Sequence, residues 1–179
     1  MGYHLRISQD GSKPENWRMI EVHGGISLDR LSDVIQIVMG LSDKCSHKFE
    51  INGKRYTESP KKKSDGVEEN QFLLEQVIGK DTAKFHYEFG GRKCFTIVVE
   101  MVGLLPDGEN DRVCCVCGEG GDLTKYDDGF EFISTRKKII NPEKLAYSPA
   151  DASKMRVMRE IKAELEKFSR WSRPRGIGK

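Results

Sequence analysis

The chain has 179 residues, of which 37% are hydrophobic and 32% charged, and this composition is typical of one globular domain with a sizeable core. No run of apolar residues approaches the ~20 that a membrane-spanning helix requires, so the sequence excludes a transmembrane protein. The net charge of +2 hides an asymmetry, because residues 135–179 carry 13 Lys+Arg against 5 Asp+Glu, whereas the rest of the chain carries 17 against 23.

The first predicted element is a β-hairpin. Apolar and polar residues alternate over residues 3–7, residues 10–14 have turn composition, and residues 17–22 form the second strand. The same N-terminus lacks the apolar stretch of a secretion signal, and Arg6 stands where a myristoylation signal carries Ser or Thr. Five cysteines, an odd number, cannot all pair within the chain. We therefore expect a cytoplasmic protein.

A helix and a second hairpin follow. Ser27 is a suitable N-cap, the apolar residues within 28–38 form one stripe at helical spacing, and Gly40 is a helix terminator. The pair Asn52-Gly53 then predicts a two-residue turn between strands within residues 48–56. The order hairpin, helix, hairpin is compatible with a grasp-like arrangement.

The centre of the predicted sheet lies further along the chain. Residues 57–66 form a polar, cationic loop, and Asp65 and Glu68 have capping-box spacing before a short helix that ends at Gly79. Alternating apolar residues then predict two strands, over residues 85–89 and 95–101, that pair antiparallel. Cys94 is predicted to be a small buried residue of the second strand.

The C-terminal part of the chain is predicted to contain one last strand and a helix. Residues 130–133 have strand composition, and an amphipathic helix begins near Pro149. The apolar side of this helix comprises Met155, Met158, Ile161, Leu165 and Phe168. The fold class is α+β, with an antiparallel or mixed sheet packed by the long helix that follows Ser27 and an additional C-terminal amphipathic helix. We divide the chain into a domain over residues 1–134, a basic segment with the C-terminal helix over residues 135–170, and a disordered tail over residues 171–179.

Two blocks of sequence carry a family resemblance. The first comprises Lys13-Pro14, Trp17-Arg18, Leu31–Gly40, His47–Phe49, Gly53 and Tyr56, and the second comprises Phe85–Gly90, Ile97 and Glu100. Both resemble the uncharacterised family named after an open reading frame of plasmid pRiA4b, whose members are also described as passenger proteins of insertion elements. The resemblance covers residues 1–133 and implies a domain without an established activity, with a link to mobile elements.

A candidate metal site arises from cysteines. Cys114, Cys115 and Cys117 fall within four positions, and thiolates this close together are able to share a zinc ion. The resembling family often has His-x-His-x-Phe after its first long helix, where this chain has Cys45 and His47 two residues apart. The predicted zinc ligands are therefore Cys45, His47, Cys114, Cys115 and Cys117.

Two other interpretations of the cysteine cluster stay open. The cysteines are either packed core residues, or Cys115 or Cys117 is a redox-active thiol whose pKa the neighbouring glycine N–H groups lower.

No catalytic or nucleotide-binding motif accompanies the cluster. The sequence thus favours a non-enzymatic binding or interaction module with an unidentified protein partner, and the alternative is a metal-binding or redox-active thiol protein. The basic segment over residues 135–179 is a candidate contact for nucleic acid.

Overall fold

The computed structural model describes most of the body of the chain and a few C-terminal residues. The described residues are 1–12, 15–41, 45–62, 65–79, 81–90, 94–106, 113–119, 122–126, 129–133, 139–140, 161, 163 and 165–167. Within them, no helix has both the length and the apolar character needed to cross a bilayer.

The described residues form an α+β-like fold in which strands predominate. The strands are β1 Gly2–Gln9, β2 Trp17–His23, β3 His47–Ile51, β4 Lys54–Thr57, β5 Val67–Glu68, β6 Lys84–Phe89, β7 Phe95–Leu105, β8 Cys114–Glu119, β9 Asp122–Tyr126, β10 Gly129–Ile133 and β11 Ile139–Ile140. The helices are α1 Leu28–Met39, a 3₁₀ helix Glu69–Gln71 and the single-turn α2 Leu74–Val77.

Nine of these strands form one mixed sheet, with the order β11-β8-β2-β1-β7-β6-β3-β4-β5. Neighbouring strands pair antiparallel throughout, except that β4 and β5 are parallel. The strands β9 and β10 form a separate antiparallel pair. A mixed sheet was one of the two forms that the sequence predicts.

The three predicted hairpins are confirmed. β1 pairs with β2, β3 with β4, and β6 with β7. In the β3–β4 turn, Asn52 and Gly53 have φ angles of 51° and 73°, the left-handed conformation that a two-residue hairpin of this type requires. The β6–β7 pair lies at the centre of the nine-stranded sheet, as the alternation of apolar residues predicts.

The predicted short helix after the cationic loop differs from the structure. Residues Val67–Glu68 form β5 instead, and a 3₁₀ helix, Glu69–Gln71, follows it. The single-turn α2 begins later, with Leu73 at its N-cap, and the side chain of Gln76 accepts a hydrogen bond from the backbone N–H of Leu73. Parallel pairing with β4 therefore overrides the local capping signal.

Helix α1 provides one side of the hydrophobic core. Its apolar stripe is fully buried and comprises Leu28, Leu31, Val34, Ile35 and Val38. Ser27 occupies the N-cap position, but its hydroxyl hydrogen-bonds the carboxylate of Asp29 rather than a backbone N–H. Gly40 ends the helix with a φ of 68°, and its backbone N–H donates to carbonyl groups of the last turn.

A buried arginine links the sheet to the C-terminal end of α1. Arg18 on β2 is 0% exposed, and its Nε donates to the carbonyl oxygen of Val38 at 2.9 Å. Its Nη1 donates to the side chain of Asn16 and to the carbonyl of Trp17. The guanidinium thus lies at the negative end of the helix dipole and satisfies a carbonyl that has no partner within the helix.

The structure describes only part of the predicted C-terminal helix. Ile161, Ala163 and Leu165–Lys167 are helical, and Ile161 and Leu165 are buried in the hydrophobic core. The remaining predicted apolar positions of that helix, Met155, Met158 and Phe168, and the tail over residues 171–179 lie outside the described residues.

We predict that Arg18→Ala lowers the free energy of unfolding by about 3 kcal/mol, because it removes two buried hydrogen bonds and a partly buried one, and leaves the carbonyl of Val38 without its donor. Urea unfolding measures the change. Arg55→Ala, at an exposed position on β4, is the matched control and should change the value by less than about 0.5 kcal/mol. Equal losses in both variants would contradict the role assigned to Arg18.

Candidate functional site

The five predicted zinc ligands lie in two distant parts of the sheet. Cys114, Cys115 and Cys117 belong to β8, whereas Cys45 precedes β3 and His47 is its first residue. Four strands, β2, β1, β7 and β6, lie between β8 and β3. At a strand spacing of about 4.8 Å, five steps across the sheet separate the two groups by roughly 24 Å. The structure therefore does not bring the cysteines of β8 to His47.

The cysteines themselves differ in their surroundings. Cys115 is buried opposite Ile20 of β2, and burial raises the pKa of its thiol to about 12. A thiol with so high a pKa is a poor nucleophile, which disfavours Cys115 as a redox residue. Cys45, Cys114 and Cys117 are partly buried, and Cys94 is exposed just before β7. The prediction that Cys94 is a buried strand residue is wrong, because β7 begins one residue after it.

His47 instead contacts two glutamates. Its Nε2 lies 2.8 Å from Oε1 of Glu69, and its Nδ1 lies 4.0 Å from Oε1 of Glu58. The side chains of His47 and Glu69 are 5% and 2% exposed, whereas Glu58 is 61% exposed. Among the residues that the structure describes, these three form the one group of His, Cys, Asp or Glu side chains with ligand atoms within 4.8 Å of one another.

Backbone pairing positions Glu69. It directly follows β5, and β5 pairs in parallel with β4, whose last residue precedes Glu58. Gly66 has a φ of 123°, and a Cβ there would lie 2.6 Å from the carbonyl oxygen of Arg55, so a residue without a side chain allows this close approach.

Backbone hydrogen bonds join the segment after Glu69 to the start of α1. The N–H of Leu28 donates to the carbonyl of Phe72 at 3.0 Å, and the N–H of Leu74 donates to the carbonyl of Ile26 at 2.8 Å. The 3₁₀ helix that carries Glu69 is therefore held against α1.

A buried polar network lies beside His47. The ring of His47 stacks on Tyr87 of β6 with a centroid distance of 5.5 Å and an interplanar angle of 30°. The hydroxyl of Tyr87 lies 2.9 Å from Oγ of Ser32, and Nε2 of Gln36 donates to both oxygens. Burial raises the pKa of Tyr87, so it stays a neutral phenol. These contacts restrict the orientation of the imidazole.

Neighbouring carboxylates determine the charge of His47. Burial lowers the pKa of its imidazole, whereas the hydrogen bond and negative charge of Glu69 raise it. The charges of Glu58 and Asp33 act in the same direction, and the resulting pKa lies above the ordinary value of 6.5. The site therefore favours positive charge beside its two glutamates.

Two buried atoms of this site lack hydrogen-bond partners among the described residues, namely Nδ1 of His47 and Oε2 of Glu69. A buried polar atom without a partner costs about 1–3 kcal/mol. When Nε2 carries the hydrogen that Glu69 accepts, Nδ1 presents a lone pair toward Glu58. Imidazole nitrogen and carboxylate oxygen are both ligands of divalent cations, so the arrangement is able to accommodate either a proton or a metal ion at Nδ1.

Sequence reasoning identified His47 but missed its partners. Glu58 and Glu69 are separated by a cationic loop, and no metal-ligand spacing connects them to His47. The β3–β4 hairpin brings Glu58 to His47, whereas Glu69 is brought there by the parallel β4–β5 pair and by the contact of its 3₁₀ helix with α1. A two-residue strand such as β5 leaves no periodic signal in the sequence.

The chain is similar to known proteins in its sequence family and in its fold. The profile of a family described as "Plasmid pRiA4b ORF-3-like protein" matches residues 1–128. A solved structure from Methanosarcina mazei Go1, "Crystal Structure of Protein of Unknown Function MM3350", is similar with a TM-score of 0.64 and 22% sequence identity. That likeness covers 72% of this chain and 74% of the other, and it shows a shared fold. No curated protein matches the sequence.

We predict that the protein, kept metal-free by a chelator, loses stability as the pH rises above neutrality. A raised pKa in the folded state means that the His47–Glu69 pair contributes its full stabilisation below pH 6.5, and that this contribution disappears as the pH rises through the raised value. Urea unfolding at a series of pH values measures the effect.

His47→Gln should remove this part of the pH dependence. His86→Gln, at an exposed histidine on β6, should leave it in place. An identical pH profile for wild type and His47→Gln would contradict the prediction.

Proposed function

The chain belongs to the plasmid pRiA4b ORF-3-like family, and we propose that it is a non-enzymatic binding module that holds a divalent metal ion through His47 and Glu58, with Glu69 as the hydrogen-bond acceptor that orients the imidazole. The similar solved structure is itself a protein of unknown function.

The observation that carries the proposal is Nδ1 of His47, a buried atom that has no hydrogen-bond partner among the described residues and lies 4.0 Å from the carboxylate of Glu58. Two glutamates beside a neutral imidazole would leave uncompensated negative charge at a site where two of the three side chains are buried. A divalent cation supplies that charge and also gives Nδ1 a partner. Protonation of His47 does the same in the absence of metal.

The three side chains have distinct parts in this proposal. Nδ1 of His47 and the carboxylate of Glu58 bind the ion. Their separation of 4.0 Å exceeds the roughly 3.0–3.4 Å between neighbouring ligands that bond one ion at about 2.1 Å, so binding requires a small rotation of the exposed Glu58 side chain toward the ring. Glu69 accepts the Nε2 hydrogen, which fixes the tautomer and increases the basicity of Nδ1. Because Glu58 is 61% exposed, the ion reaches the site from solvent and keeps water ligands on that side.

The donor set indicates which metals fit. One nitrogen and carboxylate oxygens suit Mn²⁺, Fe²⁺ and Zn²⁺, whereas soft ions such as Cu⁺ prefer sulfur. This donor set differs from the predicted cysteine-rich zinc site, with which it shares His47.

Mn²⁺ is the probe for the first test, because thiolates compete weakly for it. We predict that the protein binds about one Mn²⁺ per chain, measured by loss of the electron paramagnetic resonance signal of free Mn²⁺. His47→Gln and Glu58→Gln should each abolish binding, and Glu69→Gln should weaken it about ten- to a hundredfold, because the amide still accepts the Nε2 hydrogen but lacks the charge.

The matched control is Glu50→Gln, a partly exposed glutamate on the same strand as His47. It should bind Mn²⁺ as the wild type does. Affinity should also decrease as the pH falls through the raised pKa of His47, because protons compete for Nδ1. Absence of Mn²⁺ binding by the wild type, or equal binding by all four variants, would overturn the proposal.

A second candidate function is contact with an anionic partner, nucleic acid included, through the basic C-terminal segment. The excess of 13 Lys+Arg over 5 Asp+Glu in residues 135–179 supports it. Ile161 and Leu165 are buried while Ala163, Glu166 and Lys167 are exposed, which fits an amphipathic helix with one side on the body and the other toward solvent. An unidentified acidic protein would meet the same surface.

We predict that replacing Arg173, Arg175 and Lys179 together by Gln weakens binding to duplex DNA uniformly across sequences. The slope of log affinity against log salt concentration should fall by up to about three, one for each lost phosphate contact. Fluorescence anisotropy at several salt concentrations measures both quantities. The double variant of Lys61 and Lys62 to Gln, in an exposed loop of the body, is the control, and an effect of that variant alone would contradict the assignment to the tail.

A further inference from the structure

The strand that carries the cysteine cluster contains an irregularity. Along the β2–β8 ladder, Cys117 lies opposite Met19 and Cys115 lies opposite Ile20, so the partner advances by one residue while β8 advances by two. Val116 is therefore the extra residue of a β-bulge. Bulges re-aim side chains, because the alternation of faces along the strand is broken at the extra residue.

The bulge places Cys114 and Cys117 on the same face of the sheet. Residues three apart on a regular strand point to opposite faces. Here Cys114 lies opposite Glu21 and Cys117 lies opposite Met19, and Glu21 and Met19 share the face of β2 that is turned away from the core residue Ile20. Cys115 lies opposite Ile20 and points into the core. Cys114 and Cys117 thus lie on the outer face of the sheet, whereas the side chain of Cys115 is buried in the core.

Four side chains consequently form a two-by-two block on the outer face, which we call the sulfur block: Cys114, Cys117, Met19 and Glu21. Directly opposed residues of an antiparallel pair have Cβ atoms about 4.5–5.5 Å apart, so each cysteine is within reach of its partner on β2. Both cysteines are partly buried, and Cys114 Sγ lies 3.7 Å from the carbonyl oxygen of Cys115. Glu21 already contacts His4 at 3.4 Å.

We infer that the sulfur block is a binding site for a soft metal ion of the cuprous class, with the thiolates of Cys114 and Cys117 and the thioether of Met19 as ligands. Two thiolates and a thioether are donors that select Cu⁺ over harder ions. Binding requires rotation of the cysteine side chains toward each other, and each thiol releases its proton to solvent as its sulfur binds the ion. Glu21 supplies negative charge beside the ion and stays bound to His4.

This site is independent of the one proposed at His47. The two lie on β8 and β3, with four strands between them, and their donor atoms differ in softness. Failure of one proposal therefore does not affect the other.

The test is competition for Cu⁺ between the protein and the chromogenic chelator bicinchoninate under anaerobic conditions. The wild type should withdraw one Cu⁺ per chain. Cys114→Ser and Cys117→Ser should each weaken Cu⁺ binding by about tenfold or more, and Met19→Leu should weaken it while conserving side-chain volume. The matched control is Cys94→Ser, which removes an exposed thiol outside the sulfur block.

His47→Gln and the double variant of Cys114 and Cys117 to Ser provide two further tests. His47→Gln should retain full Cu⁺ affinity while losing Mn²⁺ binding, which separates this site from the proposed function. Thermal unfolding of each serine variant confirms that the fold persists. Retention of Cu⁺ by the double variant of Cys114 and Cys117, failure of the wild type to compete with the chelator, or an equal loss in Cys94→Ser would overturn the inference.

Discussion

The antiparallel pairing of β1 with β7 joins the two halves of the nine-stranded sheet and so determines how far apart the side chains of the two halves lie. The N-terminal hairpin, with β8 and β11 added to its outer side, forms one half, and the strands from β7 to β5 form the other. Residues 2–9 meet residues 97–105 in this pair, with one register shift between His4 and Leu5. Because Cys114, Cys115 and Cys117 lie in the first half and His47 in the second, this single pairing keeps the thiols of β8 apart from the imidazole of β3.

The two halves of the sheet compensate the charge of buried side chains in different ways. In the first, the guanidinium of Arg18 is surrounded by carbonyl and amide oxygens at the end of α1, so its charge is compensated by fixed dipoles. In the second, the carboxylate of Glu69 lies against an imidazole whose other nitrogen has no partner among the described residues. The first arrangement is complete as a structural device. The second leaves a buried ring nitrogen without a hydrogen-bond partner among the described residues.

Sequence patterns predicted the parts of the fold that depend on near neighbours. Asn52-Gly53 specified its hairpin through left-handed backbone geometry, and the alternation of Phe85, Tyr87 and Phe89 specified a buried strand. The candidate sites depend on contacts between distant segments, which leave no local signal. Glu69 reaches His47 through the parallel β4–β5 pair and the contact of its 3₁₀ helix with α1, and the common face of Cys114 and Cys117 arises only from the bulge against β2. The sequence therefore indicated side chains of the types that bind metals but not their grouping.

Synthesis of the chain imposes an order on these events. The β1–β2 hairpin leaves the ribosome before β7, and at about 5–20 residues per second roughly 5–20 s separate the two. During that interval one side of β1 is an open strand edge bearing Leu5 and Ile7, the kind of surface that pairs with other chains. Chaperone occupancy of the nascent N-terminus would protect this edge, and substitutions that slow β7 pairing would reduce the yield of folded protein without altering the stability of the finished molecule.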